Sequence, residues 1–397
     1  MVVSVAVIAA LTLVPTPGST LIPSFTCLFC GERGGSDLLL NVLLFVPFGA
    51  ALSRTRVRPR TAFLAALLVS AAIELIQFVV PGRSPTLRDI VTNALGGWIG
   101  AVAAPHVLSS IISRKRARRR IWITVGAAIA LVAATGWLLQ PVATTPDYYG
   151  QWAPELPLLE TWKGRLEDVR VGALRIDYGR AEDSDALRTA LRTEPTLSLT
   201  ATAAPHPGGR ATIFAIADAR QHHLLMILQQ GTDLIVRTYR RSSMLHLYTP
   251  ELRFTDAFAP LKVDGRFTLE VHGLMGMQPC VTVDVHTQCA DRLGAGSLWM
   301  MFGSRSGLSA ARRSLLDGLV LFALAFPVGL MLPAAGRVRG TLAALALVAG
   351  IALAAPLSGL AQIGLIEIAY LVIALATGAV VALPVVSRTT HHGTIVG

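Results

Sequence analysis

The sequence predicts a polytopic α-helical membrane protein of about eight helices that carries an extracytoplasmic all-β sandwich. Three observations predict this. First, 53% of the 397 residues are hydrophobic and only 15% are charged, against about 25% in soluble domains; mean hydropathy is +0.57. Second, several apolar runs approach the ~20 residues that cross a bilayer. Third, residues 141–310 break the pattern with short alternating runs separated by turn residues, the signature of a sandwich. The formal net charge of +11 is concentrated in three places: Arg54, Arg56, Arg58 and Arg60; Arg114, Lys115, Arg116, Arg118, Arg119 and Arg120; Arg337 and Arg339. Each cluster is a short link between apolar runs. That is positive-inside patterning rather than a nucleic-acid footprint.

Residues 1–16 lack a basic n-region and a small-residue cleavage site, so they read as an uncleaved first helix. The loop 17–36 holds Cys27 and Cys30. A second helix covers 38–53, and the basic loop 54–60 leads to a third over about 61–80. Pro81-Gly82 ends it with a turn. A fourth helix is expected at about 88–108, a basic link at 114–120 and a fifth helix at 121–140. VRVGALRIDYG, TLSLTATAA, ATIFAIAD, LLMILQQ, DLIVRTYR, RFTLEVHG, CVTVDVHT and SLWMMFG then read as strands. Three more helices follow, at 314–333, 340–354 and about 362–384. The division is a five-helix bundle at 1–140, the sandwich at 141–312, and three helices with a short tail at 313–397. With the arginine clusters inside the cell, residues 17–36, 81–87, the sandwich and 355–361 fall outside.

Residues 37–100 carry polar groups where an ordinary anchor has none. Asp37/Asn41 and Asp89/Asn93 are i,i+4 pairs and Glu74/Gln77 is an i,i+3 pair, so each pair shares a helix face. By the topology all six lie toward the outer membrane surface, near Arg83 in the outer turn. Ionisable groups in membrane segments are costly and tend to face a bundle interior or a water-filled cavity. Gly96 and Gly100 form a GxxxG pair that permits a close helix approach.

DLLLNVLLFVPFGA, the basic loop, IELIQ and GR…RDIVTNALGGWIG together resemble the VanZ-like integral membrane family. The matching positions are Asp37, Asn41, Pro47, Gly49, Glu74, Gln77, Arg83, Asp89, Asn93, Gly96 and Gly100, about a quarter of the chain being covered. ATIFAIADARQHHLLMILQQGTDLIVRTYR is similar to concanavalin A-like (LamG-like) sandwiches. The first resemblance implies a bacterial cell-envelope protein of the cytoplasmic membrane. The family takes its name from a member linked to low-level glycopeptide (teicoplanin) resistance, and no defined reaction comes with it.

Three roles for the polar set stay open. It can be a structural network tying helices together. It can bind a membrane lipid or lipid-linked cell-wall precursor by its headgroup, with the sandwich recognising glycan or a partner. Or it can act on such a substrate, with Glu74 or Asp89 as base and Arg83 on a phosphate. A transporter using Glu74 and Glu367 has less support, because no acid lies near the cytoplasmic side. No GxSxG, HExxH or nearby histidine marks a nucleophile–base pair, so no catalytic residue, cofactor or metal is assigned. Cys280 and Cys289 flank a hairpin and are candidates for a disulfide in an oxidising compartment. Cys27 and Cys30 read as an oxidised pair or idle thiols. His206, His222, His223, His246, His272 and His286 read as surface residues. Asp218, Asp233, Asp284 and Asp291 lack a calcium-loop spacing. Tyr148, Tyr149, Trp152 and Trp162 read as an interfacial belt, and Glu367 as an intramembrane acid near the polar set.

Overall fold

Two helical segments flank one β region in the computed structural model, which describes residues 2–15, 25–26, 33–83, 85–142, 147–193, 196–274, 278–303 and 308–392. Cys27 and Cys30 lie outside the described residues. The first segment holds α1 (Val2–Thr12), α2 (Gly34–Ser53), α3 (Pro59–Gln77), α4 (Leu87–Ile112) and α5 (Arg114–Leu139). The last holds α8 (Ala310–Ala335), α9 (Arg337–Leu357) and α10 (Leu365–His392), after two short helices of the β region, α6 (Ser184–Thr193) and α7 (Arg241–Met244).

Among the described residues, α2, α3, α5, α8, α9 and residues 365–384 of α10 are long and apolar enough to cross a membrane. α4 has the length, with 26 residues, but Arg88, Asp89, Thr92, Asn93 and His106 lower its hydropathy. α1 falls short of the expected spanning helix: 11 residues rise only ~16 Å, about half of the hydrocarbon core. It packs Ile8 against Phe45 and Phe48 of α2. The second basic run is not a loop. Arg114–Arg120 form the first two turns of α5, because arginine is a good helix former and its long side chain reaches the interface from a helix end.

α2 and α4 approach backbone to backbone. A Cβ on Gly49 would collide with Gly97, and one on Gly96 or Gly100 would collide with the carbonyl oxygens of Val42 or Val46. Only glycine leaves room there.

The β region is a sandwich of two sheets. One runs β10 (Glu251–Phe254), β9 (Asp233–Thr238), β8 (His223–Gln230), β7 (Arg210–Asp218), β1 (Tyr148–Trp152), β5 (Gly179–Arg180), with β2 (Glu160–Thr161) parallel to β7. The other runs β13 (His286–Cys289), β12 (Cys280–Val283), β11 (Arg266–His272), β6 (Leu197–Thr202), β3 (Arg165–Val171), β4 (Leu174–Arg175). Alternate residues meet in one core, with Phe214, Ile216 and Val236 of the first sheet facing Val169, Leu199 and Leu269 of the second. Cys280 and Cys289 are opposite each other on β12 and β13 and form a disulfide.

Two expectations for this region change, and one helix is added. SLWMMFG is a 3-10 turn at Ser297–Met301, not a strand, because Met300 and Met301 bury against the helical bundle rather than a sheet. SDALRTALRT forms α6, which buries Leu187 and Leu191 one helical turn apart. Tyr148 and Trp162 are not an interfacial belt: both are buried in the sandwich core, with the Trp162 ring N–H donating to Gln229 at 2.9 Å.

The hairpin between β7 and β8 is closed by Asp218, which is sealed from solvent. Burial alone would raise its pKa, but hydrogen bonds from the His222 N–H and ring and from the Arg220 N–H outweigh burial and hold it below the ordinary value. A depressed carboxyl stabilises the fold above its unfolded pKa of ~3.9, and that contribution is lost as pH falls through the folded value. Asp218→Asn is therefore expected to cost about 1–3 kcal/mol near neutral pH. Its deficit in detergent thermal unfolding should shrink as the pH falls below about 4.

Candidate functional site

The helices alternate between two ends, and the polar set lies wholly at one. At that end the Gly35 N–H donates to the His246 carbonyl at 3.0 Å. Ser36 Oγ donates to the Met301 carbonyl at 2.6 Å and accepts from the Tyr248 N–H at 2.7 Å. The sandwich thus rests on the first turn of α2, directly before Asp37. Buried Arg240 donates to the Leu139 carbonyl at the end of α5, and Arg241 stacks over Trp137 with 4.7 Å between guanidinium and ring centre. Cations at a helix C-terminus complement its dipole. The arginine clusters lie at the opposite end, where Arg118 Nε donates to the Ala335 carbonyl at 3.3 Å.

α4 starts at Thr86, whose side chain accepts the Asp89 N–H at 3.2 Å, an ordinary N-cap. The Thr86 N–H itself donates to Glu74 Oε2 at 2.8 Å, so Glu74 pins α3 to the start of α4. Glu74 is only 3% exposed. One turn further in, Asn93 Nδ2 donates to Ser70 Oγ at 2.8 Å. Asn93 Oδ1 is buried without a hydrogen-bond partner.

A second cluster joins α2 to α4. Asn41 Nδ2 donates to Asp89 Oδ1 at 2.7 Å. Arg88 is paired with both acids, to Asp89 Oδ1 at 3.2 Å and Asp37 Oδ2 at 3.5 Å. The Arg88 side chain is 9% exposed, that of Asp89 20% and that of Asp37 50%. The cluster is therefore a sealed base with one carboxylate open at its rim. Arg33 stands nearby, its guanidinium 4.5 Å over the Tyr248 ring.

The structure thus brings Asp37, Asn41 and Asp89 together, and sets Glu74 and Asn93 beside them on the α3–α4 seam. Gln77 and Arg83 are placed elsewhere. Gln77 donates to the Thr12 carbonyl at 2.9 Å. Arg83 donates to the Leu11 and Val14 carbonyls at 2.9 and 3.0 Å, closing the C-terminal end of α1. Glu367 does not join the set either. It accepts the Gly364 N–H at 3.0 Å at the start of α10 and lines a separate cleft with Asp291, Arg313 and Asp317. The residue missed from sequence is Arg88. Its signal was its position: a cation in the first turn of a helix opposes the dipole and needs anions beside it. Among the described residues no group of three His, Cys, Asp or Glu is placed to hold a metal.

Residues 3–112, which contain this whole cluster, match the VanZ/LLP1 family model. They form a VanZ-like domain. A stretch of 68 residues is 32% identical to Protein VanZ of Enterococcus faecium, covering 16% of this chain and 41% of that protein. The chain thus spans under half the length of that curated relative. Residues 113–397, with the sandwich, lie outside the family-model match, and no solved structure matches the chain.

Inside the VanZ-like domain Arg88 neutralises two acids at once. Removing it leaves two carboxylates near each other, one of them half open to solvent, so Arg88→Ala should lower stability by about 1–3 kcal/mol. Adding Asp89→Ala should recover part of that loss. A double-mutant cycle by thermal unfolding in detergent measures the coupling.

Proposed function

We propose that the VanZ-like domain binds the polar headgroup of a lipid-linked or cell-wall compound at the outer face of a bacterial cytoplasmic membrane. The observation that carries this reading is Asp37: half of its side chain is open at the membrane-surface end of α2, while its partner Arg88 is fixed and sealed. A preordered carboxylate on a locked base recognises hydroxyl or amine donors without reorganising. Arg88 and Arg33 stand against Asp37 and Asp89, so the rim is close to neutral and offers the open Asp37 carboxylate to such donors.

The orientation rests on the arginine clusters. They gather at the end opposite the sandwich, and positive charge is retained in the cytoplasm. On this reading the sandwich is extracytoplasmic and recognises glycan or a partner. Its support is the two-sheet architecture and the concanavalin A-like sequence resemblance. A part in low-level glycopeptide (teicoplanin) resistance belongs to the same reading, through the VanZ-like resemblance. Catalysis by Glu74 has less support, since its carboxylate is buried and already engaged by the Thr86 N–H. Arg83 has its guanidinium on α1 carbonyls.

Native mass spectrometry of protein extracted with its own lipids tests the binding. The retained lipid-linked species should be lost from Asp37→Asn and kept by Glu74→Gln and Arg83→Ala. Retention by Asp37→Asn together with loss from Arg83→Ala would overturn the assignment.

Sidedness is read separately. Tyr178→Cys, on a sandwich residue 76% exposed, should react with a membrane-impermeant maleimide on intact cells above the background of the unsubstituted protein. Arg56→Cys should react only after lysis. The reverse pattern would place the polar cluster in the cytosol.

A further inference from the structure

α9 and α10 do not close on each other at the arginine-rich end. Between them lies a groove of about 580 Å³, lined on α9 by Gly340, Ala344 and Val348 and on α10 by Val372, Ala376 and Leu383. It reaches from the α8–α9 turn to about the middle of α9, in the half of the bundle farthest from the sandwich. Its lining is apolar except at the mouth, where Thr341 and Arg337 stand.

The mouth is built for an anion. Gly336 precedes α9 with φ +90 and offers no side-chain cap, so the first N–H groups of α9 point outward at the positive end of the helix dipole. Arg337 is exposed in that first turn and lines the groove. Arg118 reaches the same turn through its bond to the Ala335 carbonyl. Among the described residues no acid lines the groove.

An apolar slot at membrane depth beneath a cationic rim has the amphipathic layout of one phospholipid. We propose that this groove holds an anionic phospholipid of the leaflet facing the arginine clusters, with one acyl chain between α9 and α10 and its phosphate on Arg337, Arg118 and the start of α9. Charge complementarity selects this occupant over the transmembrane helix of a second copy. Such a helix would fill the slot but leave the arginines unanswered. The site is separate from the Asp37 cluster, at the other end of the bundle.

Native mass spectrometry of the full chain, purified in detergent and mixed with phosphatidylglycerol or phosphatidylcholine, tests the assignment. Phosphatidylglycerol should be retained in preference. Arg337→Ala should cut that retention roughly fivefold, one arginine's share of anionic-lipid attraction, and leave phosphatidylcholine unchanged. Ala376→Phe, filling the slot from an exposed position, should lower both lipids. Val372→Trp serves if that variant elutes or melts abnormally. Asp37→Asn and Arg56→Ala should change nothing here. Phosphatidylglycerol retention untouched by both the arginine and the slot-filling variants would overturn the site. So would a dimer that the slot-filling variant dissolves, because a second copy would then occupy the groove.

Discussion

The contact of α2 with α4 is the constraint on which the polar cluster depends. Gly49, Gly96 and Gly100 leave no room for a side chain where α2 and α4 touch, and the two backbones meet over more than a turn. Without that approach Asn41 would not reach Asp89, and Arg88 would not reach Asp37. Dispersion between closely packed backbones and the absence of rotamer entropy in glycine both favour such a seam in lipid. The charges at its outer end are then held at fixed distance. Glycines set the spacing, and the carboxylates and Arg88 answer to it.

The junction with the sandwich depends on the same helix. Gly35 has no room for a Cβ against the Leu245 carbonyl, and Ser36 is tied to residues 248 and 301. Asp37 is the next residue. The open carboxylate therefore sits one peptide from a rigid anchor to the β region, and Arg33 is held over Tyr248 on the same side. At α5 the anchor is Arg240, whose full burial is tolerable because the unpaired carbonyls of a helix end accept its hydrogen bonds. The loop at 240–248 thus contacts α2 and α5 together.

Much of this was legible from residues. Composition and arginine spacing located the helices, since burial in lipid and charge at the interface are both read directly from side-chain chemistry. Alternation located most strands. The GxxxG pair pointed to the close seam because only one residue type allows it. What stayed hidden were partners. Arg83 and Arg88 lie five residues apart with the same chemistry; a helix start at Leu87 separates their fates, turning one toward α1 and the other between two acids. SLWMMFG has a strand-like composition, and its neighbours in space, not in sequence, make it a 3-10 turn. Tyr148 and Trp162 suit an interface or a core equally well, and the sheet claims them.

The charge distribution within the cluster bears on what it can recognise. Arg88 is engaged by Asp37 and Asp89 and buried beneath them, so its charge is spent on neighbours. A ligand that drew on Arg88 would have to break both pairs and strand the largely buried Asp89, which is costly in a low-dielectric setting. On the proposed reading, a ligand bearing hydroxyls or an amine would meet Asp37 at the rim with the pairs intact. Glu74 takes no part in that encounter, because its carboxylate completes the cap of α4 and removing it would leave the Thr86 N–H unanswered. The deep acid thus holds the helix start in place, and the shallow acid is the one left open at the rim.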